Sequence, residues 1–172
     1  MASFEHISGE SGVDPDRHAA IRIESTAAAA VRIAVVAARF NQPIVDGLVD
    51  GALDVLHGAG LARESVSLLR VPGAWELPLA VAWLARSGRC DAVVALGCVI
   101  RGETSHYDVI VNESARGLGQ VALETGVPIA NGVLACADEA QARARSGKGD
   151  SNKGREAARA ALEMAALRKA IA

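Results

Sequence analysis

Chemically versatile side chains are concentrated between Arg101 and Asp108. These eight residues supply a guanidinium, two carboxylates, two hydroxyls, an imidazole and a phenol, in the order Arg-Gly-Glu-Thr-Ser-His-Tyr-Asp. The segment follows an apolar run that ends at Leu96 and predicts a buried strand, and it precedes a helical pattern. Ligands bind at the carboxyl edge of a parallel sheet, where helix N-termini point. The segment therefore predicts a binding or catalytic site.

His106 is the histidine that lies within this polar segment, whereas the other three lie in the N-terminal region or at a predicted helix end. An imidazole can move protons near neutral pH, and Tyr107 and Asp108 are placed to orient it. A structural residue at a helix start would occupy the same position, so the sequence leaves both roles open. Because no second histidine lies at metal-ligand spacing, we expect no metal.

Aromatic rings are scarce in this chain, which has two Phe, two Trp and one Tyr. Phe40, Trp75 and Tyr107 each follow a predicted strand, whereas Trp83 lies on a predicted helix face, as core packing would place it. A flat ligand that stacks on Phe40 or Trp75 would explain this distribution. Rings that plug the sheet edge or a subunit contact would explain it equally well.

Three cations, Arg145, Lys148 and Lys153, surround a glycine-containing connection at residues 146–152. Such a cluster suits a phosphate group. Thr104 and Ser105 would offer hydroxyls and backbone N–H groups to a phosphate at a helix start. A solvated charged surface gives the same pattern, so the cations alone do not establish a phosphate site.

Composition limits the possible functions. The chain has 172 residues, of which 51% are hydrophobic, enough for one domain with a substantial core. A net charge of −2 gives no reason to expect nucleic acid or a membrane surface as a partner. No apolar run is long enough to cross a bilayer, and we expect no signal peptide. We expect the three cysteines to be small core residues, as in a protein of the reducing cytoplasm.

Strand and helix patterns alternate along the chain, which predicts an α/β fold with a parallel sheet in a three-layer α/β/α sandwich. Residues 1–19 are expected to form a disordered tail, and residues 20–172 a single domain. Asn41 is predicted to cap the first helix, with Pro43 in its first turn. The predicted strands are 21–24, 31–38, 66–71, 92–96 and 128–134, and the predicted helices are 44–56, 77–85, 106–124, 138–145 and 156–171.

Four motifs together resemble the lumazine synthase family. They are Arg39-Phe40-Asn41, residues 71–78 (VPGAWELP), residues 96–108, and Asn152-Lys153-Gly154, in the family's order and spacing. The resemblance covers about residues 31–170 and implies a flavodoxin-like fold. It also implies pentamers, which assemble further in some members, with active sites at subunit interfaces.

The resemblance implies a transferase reaction of riboflavin biosynthesis that uses no cofactor. That reaction joins 5-amino-6-(D-ribitylamino)uracil to 3,4-dihydroxy-2-butanone 4-phosphate and releases phosphate and water. The product is 6,7-dimethyl-8-ribityllumazine. The partners it implies are therefore these two small molecules and further copies of the chain.

The resemblance also implies a role for each matching residue. His106 would transfer protons. The residues implied at the uracil ring and ribityl chain from the same subunit are Phe40, Ala74, Trp75, Glu76, Val99 and Ile100. Those implied near the phosphate are Gly102, Glu103 and Thr104. The neighbouring subunit would contribute Asn131 to the ring through its backbone, Arg145 to the phosphate and Lys153 to the bound intermediate.

Two other functions fit the residues. Cys98 could be a nucleophile with His106 as its base, as in a cysteine-dependent hydrolase. A flavodoxin-like module could also bind a flavin or phosphate ligand without catalysing any reaction.

Overall fold

The computed structural model describes residues 31–171, so the tail predicted at 1–19 and the strand predicted at 21–24 lie outside the described residues. The strands are β1 (Ile33–Ala38), β2 (Val66–Val71), β3 (Ala92–Ile100) and β4 (Ile129–Cys136). The helices are α1 (Gln42–Gly58), α2 (Leu77–Arg86), α3 (His106–Thr125), α4 (Glu139–Ser146) and α5 (Lys153–Ile171). Short 3-10 turns occupy Arg63–Ser65 and Ala74–Glu76.

The four strands form a parallel sheet in the order β2-β1-β3-β4. Chain order therefore reverses between β1 and β3, where successive connections leave in opposite directions. The loops that follow β1 and β3 diverge at this point and open a crevice at the carboxyl edge of the sheet. This is the flavodoxin-like three-layer α/β/α arrangement that the sequence predicts.

Alternating residues of β1 divide the core between the two faces of the sheet. Ile33 and Val35 pack with α1, α4 and α5, whereas Ala34 and Val36 pack with α2 and α3. All six residues of β1 are buried because helices cover both faces. No helix within residues 31–171 is long and apolar enough to cross a membrane.

Strand β3 is longer than predicted, because pairing with β4 continues beyond Leu96 to the contacts Val99↔Ala135 and Ile100↔Cys136. Gly97, which follows the predicted end of the strand at Leu96, lies inside β3. A Cβ at this position would come within 3.3 Å of the Leu77 side chain, so the glycine permits close helix packing. Val99 and Ile100 are consequently strand residues.

The start of α1 differs from the expected cap. Asn41 precedes the helix and Pro43 lies in its first turn, but the Asn41 side chain makes no capping hydrogen bond. Asn41 adopts a left-handed backbone with φ of 57°. Its Nδ2 instead donates to the carbonyl oxygen of Cys98 at 3.0 Å. The side chain thus joins the β1 loop to β3.

The prediction that Trp83 packs in the core is wrong. It lies on α2 but is 65% exposed, because Val81, Leu84 and Ala85 form the buried face of this short helix. On α3, Ser114, Leu118 and Val121 are buried against the sheet at helical spacing.

Candidate active site

A cavity of about 420 Å³ lies at the carboxyl edge of the sheet, where β1 and β3 diverge. It contains nine of the residues to which the resemblance assigns a role. They are Phe40, Ala74, Trp75, Glu76, Val99, Ile100, Gly102, Thr104 and His106. The fold therefore brings together residues that three separate motifs contribute.

Phe40 and Trp75 are walls of this cavity and are 68% and 54% exposed. The Phe40 N–H donates to the Pro72 carbonyl at 3.0 Å, which ties the β1 loop to the loop after β2. Neither ring is buried within the chain, so the rings do not plug the sheet edge. Their faces remain available to a flat ligand or to a neighbouring copy of the chain.

The floor of the cavity includes the last residues of β3. Strand β1 pairs with β3 only as far as Leu96, whereas β3 continues to Ile100. Beyond Leu96, the edge of β3 that faces β1 therefore extends past its partner strand. Asn41 engages this edge at the Cys98 carbonyl. Backbone groups of Val99 and Ile100 lie next to that contact, where a heterocycle can meet them.

Glu76 ends the 3-10 turn that carries Ala74 and Trp75. Its Oε2 accepts a hydrogen bond from the Gly73 N–H at 2.8 Å, which fixes the carboxylate at the cavity wall. A carboxylate has about four lone-pair sites, so acceptor capacity remains for ligand hydroxyls. The turn thus presents an anchored acceptor beside two apolar surfaces.

His106 is the first residue of α3 and is exposed in the cavity. Its backbone N–H donates to Thr104 Oγ1 at 3.4 Å, so the Thr104 hydroxyl lies at the helix N-terminus. The positive end of the helix dipole points into this region. Glu103 lies in the same loop, exposed and outside the cavity lining.

Tyr107 and Asp108 do not orient His106 as the sequence suggests, because both interact with Arg101. The Arg101 guanidinium lies 4.2 Å from the centroid of the Tyr107 ring. Its Nη2 donates to Asp108 Oδ1 at 2.9 Å, and this ion pair raises the pKa of Arg101. Arg101 therefore closes the loop at residues 102–105. The sequence analysis missed this role, although an acid seven residues beyond Arg101, in the first helical turn, was a usable signal.

A second cavity of about 340 Å³ contains Asn131, Arg145 and Lys153, the three residues that the resemblance assigns to the neighbouring subunit. It lies along β4 and the facing ends of α4 and α5, and it shares no residue with the first cavity. Arg145 donates to the Gln141 carbonyl at 2.9 Å, and Lys153 pairs with Glu156.

Two details distinguish the second cavity from the sequence expectation. Lys148 is not part of it, since this side chain lines a separate cavity beside α1. Asn131 Oδ1 accepts from the Val133 N–H at 3.0 Å, so the side chain is used within β4. The cation cluster is therefore Arg145 and Lys153 alone.

Cys98 lines the first cavity but is 2% exposed. Burial raises the pKa of its thiol to about 11, with a further contribution from Cys136. A nucleophilic cysteine needs a thiolate near neutral pH, which a lowered pKa supplies. The environment of Cys98 has the opposite effect, and the hydrolase hypothesis is not favoured.

The fold and cavity define an α/β protein of the flavodoxin-like class with a ligand crevice at its topological switch point. Residues 30–169 match the family described as 6,7-dimethyl-8-ribityllumazine synthase. The chain is 48% identical over 141 residues to the protein of that name from Paraburkholderia phymatum, covering 82% of this chain and 80% of the relative. It is 48% identical over 136 residues to the one from Xanthomonas euvesicatoria pv. vesicatoria, covering 79% and 88%. For Burkholderia multivorans the identity is 49% over 141 residues, covering 82% and 80%. The chain belongs to the 6,7-dimethyl-8-ribityllumazine synthase family.

Proposed function

We propose that the two cavities are complementary halves of one lumazine synthase active site, formed where neighbouring copies of the chain meet. The reaction is that of the family, synthesis of 6,7-dimethyl-8-ribityllumazine in riboflavin biosynthesis. The observation that carries the shared site is the division of the predicted residues. The ring and proton-transfer residues line one cavity, and the cations line another that shares no residue with it. A closed ring with a head-to-tail interface, here a pentamer, would bring unlike surfaces together at every contact.

The first cavity would hold 5-amino-6-(D-ribitylamino)uracil. Phe40 would stack on the pyrimidine ring, and the backbone of Val99 and Ile100 would meet its polar edge. Ala74, Trp75 and the anchored Glu76 carboxylate would hold the ribityl chain. From the neighbouring subunit, the backbone of Asn131 would cover the opposite side of the ring.

The start of α3 would hold the phosphate of 3,4-dihydroxy-2-butanone 4-phosphate. Backbone N–H groups of Gly102 and Glu103 and the Thr104 hydroxyl would donate to its oxygens. Arg145 of the neighbouring subunit would add a planar, charged pair of donors. Because these donors are strongest toward a dianion, they would stabilise phosphate as it leaves.

The chemistry would proceed through an imine. The 5-amino group of the uracil attacks the ketone carbonyl, and water leaves as the imine forms. Phosphate is then eliminated, and the ribitylamino nitrogen closes the second ring with loss of another water. His106 would move the protons between nitrogen and oxygen, and Lys153 would contact the intermediate. Alignment of two reactants would supply much of the acceleration, up to roughly 7–11 kcal/mol.

The direct test is to mix the purified chain with both substrates and follow lumazine absorbance and free phosphate together. The two signals should appear in equal amounts and depend on the protein concentration. A protein that bound one substrate but gave no product above a protein-free blank would instead be a binding module.

We also propose that the protein is cytoplasmic, since its three cysteines are unpaired and buried, as in a reducing compartment.

A further inference from the structure

The turn between α4 and α5 carries both cations of the second cavity at its ends. Arg145 is next to the last residue of α4, and Lys153 is the first residue of α5. Residues 147–152, after the end of α4, contain two glycines and no regular helix or strand. The separation of the two cations therefore depends on how this turn is fixed.

Asn152 fixes the turn through a fully used side-chain amide. The residue is 2% exposed. Its Nδ2 donates to the carbonyl oxygens of Ser146 at 3.0 Å and Gly147 at 2.9 Å, which are the last residue of α4 and the one after it. Its Oδ1 accepts from the N–H groups of Gly154 at 2.8 Å and Arg155 at 3.2 Å, which caps α5. One side chain thus joins the end of α4 to the start of α5.

The same amide fastens the turn to α1. Asn152 Nδ2 also donates to the Gly47 carbonyl at 2.8 Å. A Cβ at Gly47 would overlap the Ser146 carbonyl, and one at Gly51 would overlap Asn152 Oδ1. A Cβ at Gly154 would overlap the Leu48 carbonyl. Close contact at these three glycines, with backbone at Gly47 and Gly154 and with the Asn152 side chain at Gly51, leaves the turn little freedom to shift along α1.

We propose that Asn152 is a positioning residue for the phosphate-binding half of the active site, holding Arg145 toward the phosphate and Lys153 toward the bound intermediate. The inference rests on the proposed function, because it assumes that Arg145 meets the butanone phosphate. Asn152 acts through the two cations and does not line their cavity. A primary amide has two donor hydrogens and an acceptor oxygen, whereas a hydroxyl has a single donor hydrogen, so serine or threonine would leave some of these five backbone groups without a partner.

Aspartate at this position provides the sharpest variant. Asn152→Asp keeps the shape and the two accepting bonds at α5, but it loses both donor hydrogens. A carboxylate would then face the carbonyls of Gly47, Ser146 and Gly147, and the end of α4 would move away. Displacement of a positioned group by about 1 Å can cost about 100-fold in rate or affinity. Asn152→Ala removes both functions and serves as the second variant.

Two control variants separate positioning from loss of stability. Leu162→Ala opens the core beneath α5, where Leu162 is buried, without touching the turn. Lys148→Ala removes a charge from the turn itself, at an exposed residue that lines another cavity. Both controls should leave the two KM values within about twofold of wild type, the spread expected for substitutions without a binding role.

The experiment measures kcat, both KM values, the melting temperature and the oligomeric mass of each variant. We expect Asn152→Asp to raise KM for the butanone phosphate, and the Ki for inorganic phosphate, about 10- to 100-fold. The KM for the uracil substrate should stay within about twofold. Equal rises in both KM values, or a pattern matching Leu162→Ala at equal melting temperature, would overturn the positioning role.

Arg145→Lys distinguishes failure of this inference from failure of the proposed function. If Arg145→Lys weakens phosphate binding and Asn152→Asp does not, the site assignment stands and the role of Asn152 is wrong. If neither variant changes phosphate binding, the assignment of the second cavity to phosphate is itself wrong. Should Asn152→Asp fail to assemble, Asn152→Ala is measured by the same criteria, and normal phosphate affinity in that variant would overturn the proposal.

Discussion

Asn41 reaches from the loop after β1 to the Cys98 carbonyl on β3, over 3.0 Å and across the point where the two strands separate. The preceding residue is Phe40, the exposed ring of the candidate site. The hydrogen bond therefore fixes the ring relative to the strand end that forms the cavity floor. The left-handed backbone at Asn41 makes this reach possible, and asparagine tolerates that conformation better than most residues.

Asn41→Ala should destabilise the fold and weaken binding of the uracil substrate. The variant loses one hydrogen bond, and alanine tolerates positive φ less well than asparagine. The two effects together should lower the free energy of unfolding by about 2 kcal/mol. Asn41→Gly should cost less, because glycine accepts this backbone freely. Unfolding in urea at fixed chain concentration measures the stability of both variants, with Gln42→Ala as an exposed neighbouring control. Equal stabilities for the Ala and Gly variants would contradict the strain argument.

His106→Ala should lower kcat by roughly 10- to 100-fold, since alignment of the substrates accounts for most of the acceleration. Both KM values should change little. His57→Ala is the matched control, because His57 lies at the end of α1 and outside both halves of the site. Unchanged kcat in a well-folded His106→Ala protein would remove His106 from the proton-transfer role.

Arg145→Lys should raise KM for the butanone phosphate while KM for the uracil substrate holds. The variant keeps the charge but loses the planar fork that suits phosphate oxygens. Arg143→Lys, on the same helix and paired with Glu139, is the control. Inorganic phosphate should compete with the butanone phosphate in the wild type. Equal weakening of both substrates would show that Arg145 has a structural role instead.

Mixed rings test the shared site directly. Phe40→Ala and Arg145→Ala should each be nearly inactive alone. When the two are unfolded together in equal amounts and refolded, about a quarter of head-to-tail interfaces should pair an intact Phe40 with an intact Arg145. Activity should rise accordingly in rings shown by mass spectrometry to be mixed. If mixed rings were no more active than the average of the two parents, each site would belong to one chain.

Cys98 gives a pH-dependent prediction. Its thiol pKa is raised from 9.0 to about 11 by burial, so the folded chain retains this proton longer than the unfolded chain. The stability that this proton contributes is present below about pH 9 and is lost as pH rises toward 11. Denaturant midpoints across this range should fall less in Cys98→Ala than in the wild type.

Iodoacetamide at pH 7.5 should leave turnover intact, because the Cys98 thiol is buried and protonated. Inactivation that Cys98→Ala prevents would instead support the nucleophile hypothesis.

The sequence predicted the strands and helices well where one physical signal dominates. Buried β1 is a continuous apolar run, and α3 shows its apolar face at helical spacing, so both were predictable. The end of β3 was not, because pairing with β4 decides whether Val99 and Ile100 stay extended. The exposure of Trp83 was equally hidden, since residue type cannot say which side of a short helix meets the core.

The candidate site was predictable as a set of residues but not as two cavities. The family resemblance assigned Phe40, Trp75 and His106 to one site, and all three line the same cavity. The position of Lys148, in a cavity apart from Arg145 and Lys153, depends on how the turn before α5 folds, and no local sequence pattern specifies that turn. Asn152 was not predicted as a cap, because the helix that follows it begins at Lys153, three residues before its predicted start, and only tertiary contacts reveal the three carbonyl partners of its side chain.

The glycines that seat the turn against α1 have a consequence for how this gene can vary. Every missense change in a glycine codon adds a side chain, and at Gly47, Gly51 and Gly154 there is no space to receive one. Amino-acid changes should therefore be removed by selection at three codons that encode no functional group, whereas synonymous changes there remain neutral. Selection for packing alone is thus expected to preserve these positions.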